Sequence, residues 1–157
     1  MRLHRYEKYW LYFGVGALVL FLATLGVSAF AMGFSPPGHG DVLDPTKVEE
    51  TPPFDEPGLV QVDENTYVAN IVAMTFGYTP NELEVPVGST VIFRVTSKDV
   101  VHSFSIPKTN VNIMVTPGYV GEAKHTFTEP GSYPVLCNEY CGTGHHFMQM
   151  TIEVSEP

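Results

Sequence analysis

Residues 137–148 read CNEYCGTGHHFM, and this stretch holds both cysteines of the 157-residue chain. Three residues separate Cys137 from Cys141, three separate Cys141 from His145, and two separate His145 from Met148. Two thiols, an imidazole and a thioether form a ligand set soft enough for copper rather than for a hard cation. One thiolate suffices for a mononuclear copper site, whereas two on one loop can bridge a pair of copper ions. The stretch therefore predicts an electron-transfer metal site.

On both sides of this loop, from Leu59 to the C-terminus, short β-like segments alternate with turn residues. Breaks such as Thr79-Pro80-Asn81 and Thr116-Pro117-Gly118 supply the turns. The predicted strands are Thr66–Phe76, Glu82–Val85, Thr90–Thr96, His102–Ile106, Val111–Val115, Glu122–Phe127, Gly131–Leu136 and Met148–Val154. About a hundred residues of this kind predict an all-β fold, a single Greek-key β-sandwich with one core.

One predicted strand carries a histidine on its apolar face. His102 alternates with Phe104 and Ile106, so its imidazole is expected to point into the protein. A buried imidazole needs a partner. Asp99 precedes it by three residues and is either a hydrogen-bond partner that orients the ring or an exposed turn residue.

The pattern from His102 to Met148 resembles the CuA site of subunit II of the heme-copper cytochrome c oxidases. Its core is the signature Cys-x-Glu-x-Cys-Gly-x-x-His-x-x-Met, which chance rarely produces, at the end of a β-rich region. The resemblance covers residues 66 to the C-terminus and, less specifically, an N-terminal membrane anchor. It implies the cupredoxin version of the Greek-key sandwich.

The resemblance also implies a ligand set for a binuclear copper centre, namely His102, Cys137, Glu139, Cys141, His145 and Met148. In that assignment the cysteines bridge, each histidine caps one copper, the methionine is a weak axial ligand and the glutamate contributes its backbone carbonyl. In many relatives the side chain of this glutamate also helps to bind magnesium beside the catalytic subunit. A magnesium site at Glu139 is therefore a further expectation.

Two alternatives concern the ligands themselves. Cysteines outside a membrane can form a structural disulfide. Such a bridge between Cys137 and Cys141 would close a very small loop with little entropic benefit, and it would leave the neighbouring His and Met unexplained. His146 competes with His145, but spacing to Met148 favours His145. Met114 and Met150 are expected to fill the core.

The N-terminal region predicts a single membrane span. Residues 10–32 contain no charged side chain, and 23 residues at 1.5 Å each can cross a ~30 Å hydrocarbon core. The run is longer than a cleavable signal sequence requires. The protein is therefore expected in the cell membrane. By the positive-inside rule, the basic residues within 1–9 predict that the N-terminus is cytoplasmic. The region after the span is then periplasmic or extracellular.

Residues 33–58 contain six prolines and several acidic residues, a composition that predicts an extended tether. The tether would lead to a copper domain at residues 59–157, and it would be ordered only if Leu43 and Phe54 pack against another surface.

Sixteen of the 17 acidic residues and five of the eight basic residues follow Gly33, giving that part a net charge of −11. A field of this sign attracts basic partners and argues against binding to nucleic acid.

The segment 75–80, TFGYTP, is informative because it lacks tryptophan. Many oxidase subunits II place a tryptophan here to receive the incoming electron, whereas Trp10 is the only tryptophan of this chain. Because it lacks this tryptophan and has a single membrane anchor, the chain resembles subunit II of the B-type oxidases. In that branch an aromatic residue such as Phe76 occupies the position of the tryptophan. Core packing is the alternative for Phe76.

The resemblance implies a function within a respiratory complex. The chain is expected to accept electrons one at a time from a soluble c-type cytochrome. It would pass them to heme in the catalytic subunit I, which reduces dioxygen, so enzyme activity belongs to the complex. Two alternatives remain open: the CuA subunit of a nitric oxide reductase, and a standalone membrane-tethered copper electron carrier or copper-delivery protein.

Overall fold

The computed structural model describes residues 4–31 and 38–156. The chain divides between residues 36 and 37 into two units. The described part of the first unit, residues 4–31, contains one helix, α1 (Arg5–Phe30), which begins at Arg5 because His4 and Glu7 form a capping box. None of its described residues is buried, and its most apolar window has a mean hydropathy of 2.2.

Helix α1 is long and apolar enough to cross a membrane, as predicted. It starts five residues before the predicted span, because the aromatic and charged residues ahead of Trp10 also take helical geometry. The predicted end of the span at Met32 lies outside the described residues.

Residues 38–156, the described part of the second unit, contain eleven strands. They are β1 (Gly38–Val42), β2 (Gly58–Asp63), β3 (Thr66–Met74), β4 (Gly77–Thr79), β5 (Glu82–Pro86), β6 (Thr90–Ser97), β7 (His102–Ser105), β8 (Asn112–Val115), β9 (Tyr119–Thr126), β10 (Gly131–Leu136) and β11 (Gln149–Ser155). All eight predicted strands are present, with ends shifted by up to three residues. Because Phe76 has a positive φ, the first predicted strand ends at Met74 and the chain turns into β4.

The strands form two sheets that enclose one main core. One sheet has the order β1-β9-β6-β3-β2 with β4 beside β3, and the other has the order β5-β11-β10-β7-β8. Pairs β3–β6 and β5–β11 are parallel and the remaining pairs are antiparallel. Alternate residues point inward: on β6 the fully buried side chains include Val91, Phe93 and Val95. The predicted all-β sandwich is confirmed.

The structure differs from the expected tether over residues 38–57. Strand β1 pairs with β9, and short 3-10 turns follow over Pro45–Glu50. Val48 and Phe54 are buried against Val72 and Val120 on the outer face of the first sheet. The segment folds because these two apolar side chains cover sheet residues that would otherwise be exposed to water. Residues 33–37 lie outside the described residues.

Four elements bring the predicted ligands to one end of the sandwich. Strand β10 ends at Leu136 and β11 begins at Gln149, so residues 137–148 form the loop between two antiparallel neighbours. We call this segment the copper loop. Strand β7 pairs with β10 through Ser105 and Leu136, which carries His102 at its start towards that loop. The turn between β3 and β4 places Phe76 against it.

Candidate metal centre

The two cysteines of the copper loop are free thiols in the core. Each is 7% exposed, and their Sγ atoms lie 4.0 Å apart. A disulfide requires about 2.05 Å between the sulfurs. The disulfide alternative is therefore not realised, and both sulfurs of Cys137 and Cys141 remain available to a metal ion.

His102 points inward, as the strand alternation predicted. Its side chain is fully buried, and Nε2 lies 2.8 Å from Oδ1 of Asp99. The other ring nitrogen, Nδ1, is buried and has no hydrogen-bond partner among the described residues. The ligand atoms of His102, Cys137 and Cys141 all lie within 4.8 Å of one another. An unpartnered buried nitrogen beside two thiols has the donor chemistry that copper requires, so these residues fit the implied cofactor.

Asp99 is the hydrogen-bond partner of His102 rather than a solvated turn residue. Its side chain is 29% exposed and accepts hydrogen bonds from the amide and hydroxyl of Thr75 and from the amide of Val100. Burial alone would raise the pKa of Asp99, but the hydrogen bonds from Thr75, His102 and Val100 outweigh it and hold the pKa well below its usual value. The carboxylate is therefore charged and fixes the Nε2–H tautomer of His102.

The remaining predicted ligands surround the thiols. Nδ1 of His145 lies 3.5 Å from Sγ of Cys141, and Sδ of Met148 lies 3.6 Å from the same sulfur. The thiol of Cys137 lies 3.2 Å from the backbone carbonyl oxygen of Glu139. All four predicted ligands other than the cysteines thus lie beside the cysteine pair.

The competing residues have other surroundings. His146 is exposed and its ring stacks on Phe147, with centroids 3.9 Å apart. The two neighbouring histidines lie in a 3-10 turn, His145–Phe147, so strand alternation is not what separates them. Met150 is 2% exposed and packs in the core, as predicted. Met114 is 57% exposed, so the expectation that it fills the core is wrong.

The buried surroundings favour the protonated form of the metal-free Cys141 thiol. Burial and the neighbouring Cys137 raise the pKa of Cys141, while backbone hydrogen bonds, including one from Phe76, act in the opposite direction. Burial, together with the neighbouring Cys137, also raises the pKa of Tyr78. Metal binding therefore has to displace the thiol proton of Cys141.

Two polar residues that support the loop were missed by the sequence reasoning. The hydroxyl of Tyr78 donates to the backbone carbonyl of Ser103, next to His102 on β7. The hydroxyl of Ser103 accepts a hydrogen bond from the amide of Asn138 in the copper loop. The polar Ser103 beside an inward histidine was the signal that could have indicated this link.

Phe76 lies over the copper loop and is 39% exposed, so it does not belong to the core. A β-carbon placed on Gly144 would lie 2.6 Å from Cγ of Phe76, which shows how closely the ring approaches that glycine. The copper loop, the segment just before His102 and the β3–β4 turn expose a set of apolar side chains, namely Phe76, Val100, Val101, Tyr140 and Phe147. We call this set the apolar rim.

Comparison with known proteins assigns the chain to a family. Residues 61–155 match the profile described as "Cytochrome C oxidase subunit II, periplasmic domain". The chain belongs to the cytochrome c oxidase subunit II family. It is 41% identical to a cytochrome c oxidase subunit 2 of Thermus thermophilus over 155 residues, which cover 96% of this chain and 92% of that protein. A second Thermus thermophilus subunit 2 is 43% identical and covers 79% of this chain and 93% of its own length.

Solved structures agree with this membership. A chain in the cryo-electron-microscopy structure of a heme-copper terminal oxidase dimer matches with a TM-score of 0.81 at 33% identity, over 96% of this chain and all of that chain. The periplasmic domain of subunit II of cytochrome oxidase from Bradyrhizobium japonicum matches with a TM-score of 0.53 at 25% identity, over 62% of this chain and 88% of its own.

The predicted resemblance to subunit II and the cupredoxin-like fold are confirmed. The chain is a subunit of a terminal oxidase, which is an enzyme complex. Membership of the subunit II family implies that the protein binds copper. The match to a periplasmic-domain family, together with α1, indicates a membrane-anchored protein with an extracellular domain. The nitric oxide reductase and the standalone carrier are not favoured. The B-type assignment remains a prediction.

Proposed function

We propose that the chain holds two copper ions in a CuA centre and serves as the electron acceptor of a cytochrome c oxidase. The ligands in this proposal are His102, Cys137, Cys141, His145 and Met148 with the backbone carbonyl of Glu139. One observation carries the assignment: Nδ1 of His102, which is buried and has no hydrogen-bond partner in the described part of the chain, converges with two free thiols within 4.8 Å. Bound copper supplies one-electron redox chemistry.

The protein's own residues prepare that site in three ways. The sandwich excludes water, since Cys137, Cys141 and Met148 are each at most 7% exposed. Asp99 keeps the proton of His102 on Nε2, so that Nδ1 presents its lone pair to the metal. The ligands sit at the ends of paired strands, which resist changes in geometry when the charge of the site changes.

The electron donor in this proposal is a soluble c-type cytochrome that docks at the apolar rim. The residues of the rim lie on the copper loop, just before His102 or against the copper loop, so a partner seated on the rim comes close to the metal site. The excess of acidic residues after Gly33 favours a basic partner and accelerates encounter at low ionic strength. Once the two proteins meet, burial of the rim's apolar side chains stabilises the complex.

We further propose that Phe76 receives the incoming electron, because it is the partly exposed aromatic residue packed on the copper loop. A Phe76→Leu variant should keep the metal centre but slow reduction by the cytochrome in stopped-flow experiments. Unchanged kinetics would show that Phe76 is not on the electron-transfer path.

Magnesium binding at Glu139 is a separate proposal, because this residue is exposed and carries a carboxylate. It fails if the intact complex contains no magnesium or manganese.

In this proposal the copper centre passes each electron to heme in the catalytic subunit I. Helix α1 is the part of this chain that contacts subunit I within the membrane. Gly14, Gly16 and Gly26 have open space around them, so another helix can approach this one closely. In this arrangement residues 1–9 are cytoplasmic, 10–32 span the membrane, 33–58 connect to the copper domain and 59–157 lie outside the cell membrane. Residues 38–57 then connect while packed on the sandwich rather than as a free tether.

The proposal is tested by the composition of the native protein. Purification of the tagged chain in mild detergent should yield a complex containing heme, with two copper ions in the subunit II portion. The complex should oxidise reduced c-type cytochrome and consume dioxygen. A heme-free monomer would contradict the partnership, and one copper ion per isolated chain would contradict the binuclear centre.

A further inference from the structure

The turn between β3 and β4 places a non-glycine residue with a positive φ beside the copper loop. Phe76 has φ of 72°, a conformation that non-glycine residues rarely adopt. Its ring faces two glycines of the loop. A β-carbon on Gly144 would lie 2.6 Å from Cγ and 2.8 Å from both Cδ atoms of Phe76, and one on Gly142 would lie 3.1 Å from Cε1. The loop accepts the ring only because both positions lack a side chain.

The residue before Phe76 acts on the other side of the site. The amide and hydroxyl of Thr75 both donate to Oδ2 of Asp99, while Oδ1 of the same carboxylate lies 2.8 Å from Nε2 of His102. The bonds connect residues 24 positions apart in sequence, so they tie the β3–β4 turn to the loop before β7. Thr75 therefore reaches the imidazole through one carboxylate.

We propose that Thr75 and Phe76, the two residues of the turn between β3 and β4, form a positioning element that holds the metal ligands from two sides. Phe76 fixes the copper loop through Gly142 and Gly144, and Thr75 fixes His102 through Asp99. The inference rests on the ligand set of the proposed function, and it assigns to Phe76 and Thr75 a structural task that is separate from the passage of electrons.

Physical reasons favour one element with both tasks. Strained backbone persists only where the surrounding contacts determine it, and it concentrates at functional sites. Here the surrounding contacts are the ones that set the ligand geometry. Partners that orient metal ligands typically change metal affinity 10- to 100-fold when they are lost. Two adjacent residues that act on different ligands keep the distance between those ligands constant.

The first test asks whether Phe76 is the reason for Gly144. Gly144 has φ of −95°, which alanine tolerates, so Gly144→Ala should disturb the loop only through the ring. In the full chain loaded with copper, we expect release of reduced copper to a chelator to accelerate at least ~10-fold. In the Phe76→Ala background the same substitution should change the rate less than ~2-fold, because the ring has been removed. Gly58→Ala is the control, since nothing lies within 4 Å of its β-carbon.

The second test removes the hydroxyl bond to Asp99. Thr75→Val should accelerate copper release about 10-fold and alter the reduction potential. Thr109→Val is the matched control: this hydroxyl also makes hydrogen bonds in a turn, with Ile106 and Val111, at the opposite end of β7. It should leave both quantities at wild-type values. Urea unfolding of each reduced, metal-free variant separates positioning from loss of stability.

A metal-free measurement keeps this inference distinct from the proposed function. In the reduced full chain without copper, solvent exchange of the His102 Nε2 proton, followed by nuclear magnetic resonance, should accelerate several-fold in Thr75→Val and not in Thr109→Val. If the wild-type chain fails to bind two copper ions, the proposed function fails while this exchange result still decides the inference. Equal effects of Gly144→Ala in both backgrounds, or exchange in Thr75→Val equal to wild type, would overturn the positioning role.

Discussion

Phe54 offers a direct test of whether residues 38–57 are part of the folded domain. Its side chain is 2% exposed and packs with Val48, Val72 and Val120 on the outer face of the first sheet. Replacing a buried phenylalanine by alanine typically costs about 3–5 kcal/mol. The cluster is small and borders a cleft of about 260 Å³, so the lower end of that range, ~3 kcal/mol, is expected for Phe54→Ala.

The assay is urea unfolding of the reduced, metal-free chain in detergent, followed by far-ultraviolet circular dichroism. A loss of ~3 kcal/mol is a large share of the roughly 5–15 kcal/mol that stabilises a typical domain, so the midpoint should fall clearly. Phe147→Ala is the matched control because that ring is 72% exposed, and it should change the free energy of unfolding by less than ~0.5 kcal/mol. Equal destabilisation by the two substitutions would refute the packing of residues 38–57 on the sheet.

Three further predictions concern the site, the core and pH. Cys141→Ser should abolish the binuclear copper signal, whereas Met148→Leu should keep it with a raised reduction potential, because only the cysteine is proposed to bridge both metals. Gly121→Ala should lower the urea midpoint, since its β-carbon would lie 2.4 Å from Cγ2 of Ile113 across the sandwich. Burial lowers the pKa of His125 below 6.5, so the unfolded chain binds the proton more readily. The free energy of unfolding should therefore fall as pH drops through about 6.5. The His125→Gln variant should show a weaker dependence of stability on pH. A pH profile in this variant equal to that of the wild type would contradict the prediction.

The ligand motif was the most predictable part of the site. Cys137, Cys141, His145 and Met148 lie within twelve residues, so local spacing alone limits how they can be arranged. His102 is 35 positions before the first cysteine, yet its alternation with buried side chains correctly predicted its inward direction. Burial and local spacing are properties that a sequence carries directly.

The supporting contacts were not predictable in the same way. The bonds from Thr75 to Asp99 and from Asn138 to Ser103 depend on how distant strands are paired, which periodicity does not specify. The parallel pairing of β3 with β6 likewise follows from the arrangement of the whole sandwich. The proline-rich and acidic composition of residues 33–58 predicted a free tether. In the structure Phe54 packs on an apolar face of the first sheet, and composition alone does not show that this face is available.

The central proposal is that Cys137 and Cys141 would together hold a pair of copper ions. Electron paramagnetic resonance of the copper-loaded full chain tests this most directly. A hyperfine pattern of seven lines, from one electron spread over two equivalent copper nuclei, is the predicted result. Four lines from a single copper nucleus in fully loaded protein would contradict the account.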